Sequence, residues 1–201
     1  MNQYHTKDKL EIGIDEAGRG CFLGPVCVAA VIWPNEEPDE TMEIKDSKKL
    51  SEKKRDILRE YIEENAIAYS VKFIHNDVID TINILKATMK GMHGCIDEIR
   101  ENMEVDSLLI DGNQFDIYMD NNFEYIQHHC IVGGDDKYKC IAAASILAKT
   151  YHDEYIRDLV LKDPPLEKYG LLKNKGYGTK IHREAIRDYG LTKYHRKSFN
   201  I

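Results

Sequence analysis

The chain has 201 residues, enough to bury a real core in one domain. It is 42% hydrophobic and 31% charged with a formal net charge of −7, an ordinary balance for a soluble globular protein. The polar start MNQYHTKDKL has no apolar core of a secretory signal, and no apolar run is long enough to span a bilayer. A cytoplasmic protein with no membrane partner is therefore expected. In chain order, Leu10–Asp15 alternates, with Leu10, Ile12 and Ile14 on one face, and predicts a strand closed by Asp15. Pro25–Trp33 is continuously apolar and predicts a second strand buried on both faces. After a polar loop around Pro38, Ser51–Glu64 reads as a charged surface helix capped by Ser51, and Ala66–Ile74 as a third strand. Asn76–Glu101 carries apolar residues near helical spacing, with an interruption expected at Gly91 or Gly94. Ser107–Asp111 and Glu124–Val132 predict two more strands. Cys140–Leu161 predicts an Ala-rich helix ended by Asp163-Pro164-Pro165, and a last short helix is expected near Arg183–Tyr189. Strands that lead and helices that follow predict an α/β fold around a mixed sheet flanked by helices.

Cys21, Cys27, Cys95, Cys130 and Cys140 form no CxxC pair and are odd in number, which argues against a disulfide framework or a structural zinc site. The charge is unevenly spread. Residues 162–201 hold ten Lys or Arg against four Asp or Glu, a balance of +6, so the remainder carries −13 of the net −7. A basic C-terminal segment of this kind can neutralise phosphates while acids elsewhere hold metal. On charge alone, a solvated mixed surface is an equal reading.

The sharpest local feature is Gly13-Ile14-Asp15-Glu16-Ala17-Gly18-Arg19-Gly20. Two adjacent carboxylates follow an apolar strand, with Gly13 leaving space beside Asp15 and a glycine turn that can bring both acids to one place. Asp111 repeats the arrangement after Leu108-Leu109-Ile110, although Asp111-Gly112 also reads as a hairpin turn. Asp153 is a fourth candidate. Its alternative is a helix residue paired with Lys149 at i, i+4, and taken alone that alternative is the better one. Carboxylates without paired His or Cys suit hard cations, Mg²⁺ or Mn²⁺, and two such ions can clamp the attacking and leaving oxygens of a phosphodiester.

With these residues in view, the sequence resembles the type 2 RNase H family, in its HII rather than HIII form, since HIII relatives carry a different glycine motif after the Asp-Glu pair. Gly13–Gly20 (GIDEAGRG) with Gly24-Pro25-Val26 is similar to the family's first signature. Asp46–Ser51 (DSKKLS), Leu109–Gly112, and Gly134-Asp135 with Ile141–Lys149 (IAAASILAK) and Asp153 follow in order. Gly176–Thr179, His182 and His195–Phe199 (HRKSF) complete the set. The match covers nearly the whole chain from Leu10. It implies an RNase H-like fold with a C-terminal helical part, a single catalytic domain over 1–201, and a basic substrate-binding part at about 162–201. It implies that Asp15, Glu16, Asp111 and Asp153 are the catalytic residues and ligate two divalent ions. Gly18, Arg19, Gly20 and Tyr177 would sense the RNA–DNA junction, while Lys48, Lys49 and the C-terminal basic residues would contact phosphates. The implied partners are RNA/DNA hybrid and ribonucleotide-containing duplex DNA. The implied reaction is endonucleolytic hydrolysis that leaves a 3′-hydroxyl and a 5′-phosphate, including cuts on the 5′ side of a lone ribonucleotide.

Three positions depart from the family pattern. Cys21 and Gly178 stand where Pro is usual, and Tyr151-His152-Asp153 replaces a more common Thr-Arg-Asp. The lost Arg removes a phosphate contact and the extra glycine is expected to loosen the Tyr177 loop, which bears on substrate preference more than on the reaction. The chain shows no C-terminal clamp-binding tail of the kind seen in some relatives, and a monomer is expected. Two other classes remain: a DNA-processing nuclease on the same fold, which the Gly18–Gly20 and Tyr177 blocks oppose, and a catalytically silent hybrid-binding module, which retention of the four acids opposes.

Overall fold

The computed structural model describes every residue except 40, 41, 46, 48, 49, 121 and 201. Strands β1 (Glu11–Ala17), β2 (Val26–Ile32) and β3 (Ala68–Ile74) form an antiparallel meander. Strands β4 (Ser107–Asp111) and β5 (Gln127–Ile131) extend it in parallel from the other side of β1, giving the order β3-β2-β1-β4-β5. The mixed sheet of the sequence reading is thus present. Strand β2 is buried along its whole length, as a continuously apolar strand should be.

Each face of the sheet is covered by one long helix. Ile12, Ile14, Val28, Ala30, Leu108 and Ile110 pack against Met89, Met92, Ile96 and Ile99 of α3 (Ile84–Arg100). On the opposite face Ala17, Ala29, Val31 and Leu109 meet α4 (Lys139–Lys162), with α1 (Glu52–Asn65) packed outside it through Leu58 and Ile62. Ser51 caps α1 by accepting from the Lys54 amide, as the sequence suggests. At these faces the chemistry is decided by alternation: odd positions of β1 face α4 and even positions face α3.

Helix α4 approaches β1 more closely than any side chain would allow. A Cβ on Gly13 would lie 2.3 Å from the Cys140 carbonyl carbon and 2.5 Å from the Ile141 nitrogen. The space that Gly13 leaves is therefore filled by helix backbone rather than by a carboxylate.

Two sequence expectations are corrected. The interruption in Asn76–Glu101 falls at Asn83 rather than at Gly91 or Gly94, separating α2 (Asn76–Ile82) from α3. Asn83 adopts a φ of 70° and its side chain accepts from the Lys86 amide, so it ends one helix and caps the next. Gly91 serves contact instead, since a Cβ there would stand 2.7 Å from Val28 Cγ2. Strand β1 also continues past Asp15 to Ala17, because Glu16 and Ala17 still pair with Val28 and Cys27 of β2.

Beyond Pro164 the chain forms a 3-10 turn (Pro164–Tyr169), a short α5 (Leu171–Asn174) and α6 (Lys180–Tyr189). Leu166, Tyr169, Leu171 and Ala185 pack on Ile156, Leu159 and Val160 at the end of α4 and on Leu23. This part also buries two histidines, with His182 Nε2 3.1 Å from His195 Nε2. Burial, and then repulsion from His182, pushes His195 down to about 4, and burial lowers His182 as well. All five cysteines are free thiols, and all but Cys130 are buried. No helix among the described residues is long and apolar enough to cross a membrane.

Two outcomes are expected. Gly13→Ala forces the α4 backbone away from β1 and should destabilise the protein by about 3 kcal/mol or more, read as a lower urea midpoint at unchanged slope. The second concerns pH. An unfolded histidine takes up a proton near pH 6.5, whereas folded His195 resists it until about 4. The neutral pair's contribution is therefore intact above pH 6.5 and is lost as pH falls from 6.5 towards 4. Between pH 7 and 4.5 the native protein should lose about 2 kcal/mol more than His195→Gln, which cannot titrate there, in urea unfolding at both pH values. Parallel losses would show that His195 is not the responsible group.

Candidate active site

The parallel pairing of β1 with β4, in register through Ile14 and Ile110, sets the next residues, Asp15 and Asp111, side by side at the same end of the sheet. A third acid arrives from a tight turn. Gly133, with a φ of 64°, leads into a 3-10 turn (Gly134–Asp136) that carries Asp135 immediately before α4. The Gly134 amide donates to Asp111 Oδ1 at 2.7 Å, tying this turn to β4. One carboxylate oxygen each from Asp15, Asp111 and Asp135 lies within 4.8 Å of the others, with Asp15 and Asp135 buried.

Burial, and then the charges of Glu16 and Asp111, raises the Asp15 carboxyl well above its usual range, against hydrogen bonds from Ser145 and the Glu16 amide. Ser145 on α4 also meets Ser47, Oγ to Oγ, at 2.9 Å. Arg55 of α1 donates to the Ser47 and Leu50 carbonyls at 3.1 and 2.7 Å. Ser47 is thus held near Asp15 through Ser145, and Ser47 and Leu50 are both tied to Arg55. Lys48 and Lys49 lie outside the described residues.

Glu16 belongs to the opposite pleat of β1, where Arg19 Nη1 donates to its Oε1 at 3.3 Å. Asp153 is not a member of the three-acid cluster. Its Oδ1 accepts from Lys149 Nζ at 2.7 Å and from His152 Nδ1 at 3.3 Å, with an Arg55 nitrogen 3.9 Å from Oδ2. Burial opposes its ionisation, but the bonds from His152 and Lys149 hold Asp153 below the ordinary value. The i, i+4 pairing with Lys149 is present, on a buried side chain rather than at the surface. Asp135 is a site residue that the sequence reading does not name as a ligand. Its one signal is the Gly134-Asp135 pair in the family blocks.

The donor set is carboxylate oxygen alone, with no Cys or His among the clustered atoms. Such a set fits hard divalent cations, and two or more acids held this closely are relieved when a cation sits among them.

The glycine turn lies directly beyond the two acids of β1. Gly18 has a φ of 80° and is packed from behind, since a Cβ there would fall 2.3 Å from His152 Nε2. Its amide donates to Tyr177 Oη at 3.3 Å. Gly20 is exposed, and a Cβ on it would meet nothing nearer than Tyr177 Cε1 at 3.9 Å. Gly18 is therefore demanded by internal packing, and Gly20 is the position where an incoming group has open space beside the Tyr177 ring.

Of the departures from the family pattern, Cys21 and His152 pack against this turn, and Gly178 packs against Phe22. Buried Cys21 places Sγ 3.7 Å from His152 Nε2 and 3.4 Å from the Lys175 carbonyl. Gly178 does not loosen the loop by vacancy, because the Phe22 ring occupies its side at 2.4 Å from where a Cβ would stand. His152 is wholly buried, so it packs the turn from inside. One basic residue is likewise reassigned. Arg196 is fully buried and donates to the carbonyls of Gly24, Arg19 and Gly18 at 2.9, 2.9 and 2.8 Å, which removes it from the phosphate-contacting set. Lys168, Lys173, Lys180, Arg187, Lys193 and Lys197 are exposed.

Comparison with known proteins shows the family. A family model described as Ribonuclease HII matches residues 12–201. The chain is 50% identical over 198 residues to ribonuclease HII of Parabacteroides distasonis, covering 98% of this chain and 94% of that protein. It is 46% identical over 201 residues to ribonuclease HII of Christiangramia forsetii, covering 100% of this chain and 95% of that one. Among solved structures, RNase HII in its complex with PCNA from Archaeoglobus fulgidus superimposes with a TM-score of 0.75 at 26% identity, covering 96% of both chains. A Bst-RNase HIII complex with Mn²⁺ superimposes with a TM-score of 0.71 at 23% identity, covering 90% of this chain and 63% of that one. The chain belongs to the ribonuclease HII family and is a metal-dependent endoribonuclease of the RNase H class.

Proposed function

We propose that the protein cuts duplex DNA on the 5′ side of single embedded ribonucleotides, as well as the RNA strand of hybrids, with two divalent ions held by Asp15, Glu16, Asp111 and Asp135. The observation that carries this reading is the convergence of Asp15, Asp111 and Asp135 next to a glycine turn that faces a tyrosine. Asp153, which the resemblance alone would make a ligand, is given the task of orienting Lys149 and His152 instead. Bound among these carboxylates, the ions would supply an activated water and charge stabilisation at the departing oxygen.

The bond broken is the one from phosphorus to the 3′ oxygen of the preceding nucleotide, and water supplies the new oxygen. The products are then a 3′-hydroxyl upstream and a 5′-phosphate on the ribonucleotide. The 2′-hydroxyl lies on the far side of that phosphate, so it is read rather than used as a nucleophile. Reading it falls to the Gly18–Gly20 backbone and Tyr177, since that hydroxyl separates RNA from DNA at one position. Gly20 lets the strand come close, and the Tyr177 ring, 37% exposed, can pack on the neighbouring sugar. On a continuous hybrid that neighbour carries its own 2′-hydroxyl, and the packing contributes less. Arg19 is held by Glu16 at the mouth of the turn. Lys48, Lys49 and the exposed basic residues after Lys162 would contact phosphates, which position a duplex without reading its sequence. This assigns one catalytic domain to 1–201, working inside the cell, with residues from about 162 as its basic substrate-binding part.

Metal binding can be followed without turnover. Mg²⁺ or Mn²⁺ should raise the thermal midpoint of the native protein. Asp15→Asn, Asp111→Asn and Asp135→Asn should each abolish most of that rise and reduce cleavage by about 100-fold or more, while Asp153→Asn keeps the rise. Without metal, Asp15→Asn should be as stable as the native chain or more so, because a buried like charge is gone. A full metal-induced rise in Asp135→Asn, or its loss in Asp153→Asn, would reverse the assignment between these two acids.

Ribose reading is tested on end-labelled duplexes. One ribonucleotide should direct a single cut on its 5′ side, and the all-DNA duplex should remain whole. Tyr177→Ala should cut at the lone ribonucleotide at least about tenfold more slowly, and Tyr177→Phe less severely if packing outweighs the hydroxyl's bond. Equal cutting of both duplexes by the native protein would point to the general DNA nuclease.

A further inference from the structure

The turn and the tyrosine proposed to read the ribose are joined through the C-terminal segment. Residues 21–24 lie between two C-terminal segments and are joined to each by an isolated β-bridge. The Phe22 amide donates to the Gly176 carbonyl at 2.8 Å, and the Phe22 carbonyl accepts from the Arg196 amide at 2.8 Å. Cys21 bridges to Tyr177 on one side and Leu23 to His195 on the other. The two outer segments are then braced by side chains that play no part in the chemistry proposed above.

The hydrogen bonding of the two buried histidines has only one consistent direction. At one end, the Thr192 backbone amide is 2.9 Å from His195 Nδ1 and must donate, so that nitrogen carries no proton; the Thr192 hydroxyl, 2.8 Å from the same atom and accepting from the Tyr194 amide, then donates to it as well. The proton of His195 is therefore on Nε2, 3.1 Å from His182 Nε2, which must accept. The His182 proton is then on Nδ1, 3.0 Å from the Tyr177 carbonyl, which can only accept. An amide at one end and a carbonyl at the other fix both tautomers. Burial lowers both imidazoles, which keeps the neutral forms that the chain requires. Next to His195, the Arg196 guanidinium spends its three kinds of nitrogen on the Gly24, Arg19 and Gly18 carbonyls.

We propose that His182, His195 and Arg196 are positioning residues for ribose discrimination: the two imidazoles relay a one-way hydrogen bond that sets the Tyr177 backbone, and the guanidinium sets the Gly18–Gly20 turn opposite it. The separation between ring and turn is thereby fixed from a segment remote in sequence from Asp15 and Glu16. The inference rests on the reading of Tyr177 as the residue that packs at the junction.

Two measurements on the full chain test it. In long-range ¹H–¹⁵N correlation spectra at neutral pH, His182 should appear as the Nδ1–H tautomer and His195 as the Nε2–H tautomer. The opposite tautomer, or a charged ring, at either residue overturns the relay. The second measurement is the ratio of kcat/KM on a duplex with one ribonucleotide to that on a continuous hybrid. His195→Phe keeps a ring but loses donor and acceptor, and should lower this ratio at least about tenfold, whereas His195→Gln, whose amide reaches the same place as Nε2, should hold it within about threefold. An equal fall on both substrates is mere structural weakening and overturns the proposal. Tyr177→Ala in parallel separates the two readings: an unchanged ratio there refutes the role of Tyr177, while a change there with none in His195→Phe refutes the relay alone. Should His195→Phe fail to fold, His182→Asn takes its place. Its amide can reach the Tyr177 carbonyl but is cut off from His195, so the ratio should again fall, and an unchanged ratio overturns the proposal.

Discussion

The contact on which the site depends is the one between backbone and backbone at Gly13. Helix α4 can lie on β1 at that distance only because position 13 has no side chain. The approach brings Ser145 to Asp15 and to Ser47, and fixes the tight turn that carries Asp135 just ahead of the helix. Ser145 lies on α4, Asp15 on β1 and Ser47 in the loop before α1, so a shift of the helix would separate all three together. Asp15 and Asp111 are thereby placed on strands of the sheet, and Asp135 on a turn tied to β4 through the Gly134 amide, rather than on a long free loop.

Gathering acids in this way works against folding. Asp15 is buried beside two other carboxylates, and its raised affinity for a proton is the visible sign of that cost. The local compensation is polar and specific. The Glu16 amide and Ser145 bond to Asp15, and the Gly134 amide bonds to Asp111. These bonds reduce the repulsion without cancelling it, so a residual preference for a cation is built into the fold. Asp153 shows the contrast. Paired with Lys149 and His152, it is already satisfied as a carboxylate and has less to gain from a metal.

What the sequence made legible follows from how local each signal is. Alternation in Leu10–Asp15 and the unbroken apolar run to Trp33 reveal β1 and β2, because burial on one face or two writes itself into neighbouring residues. Asp15 and Asp111 are legible as acids that follow apolar runs for the same reason, although β1 runs on to Ala17. Asp135 is not, since its place depends on a left-handed Gly133 and on a bond to Asp111 from 23 positions away. The break at Asn83 was assigned to a glycine because glycine is the commoner interrupter, yet Gly91 is taken up by close packing on Val28. Arg196 is included with the other C-terminal basic residues that the resemblance implies as phosphate contacts. Only the fold shows three backbone carbonyls arranged to receive it. The family resemblance supplied the set of motifs correctly, but a motif states which residues recur and not which atoms meet.

The C-terminal segment combines two tasks that its charge balance of +6 conceals. Its exposed lysines and arginines face outward, where long-range attraction can draw a polyanion towards a protein that is acidic elsewhere. Its buried residues, His182, His195 and Arg196, face inward and carry no such attraction. The division matters because carboxylates repel phosphate until a cation lies between them. Attraction must come from a surface apart from the acids, while accuracy must come from contacts at the turn itself. A single segment packed on the end of α4 can provide both, since α4 also holds the strands that bear the acids. A duplex gripped by the outer face would then be presented to Tyr177 and Gly20 at a separation set by the inner one.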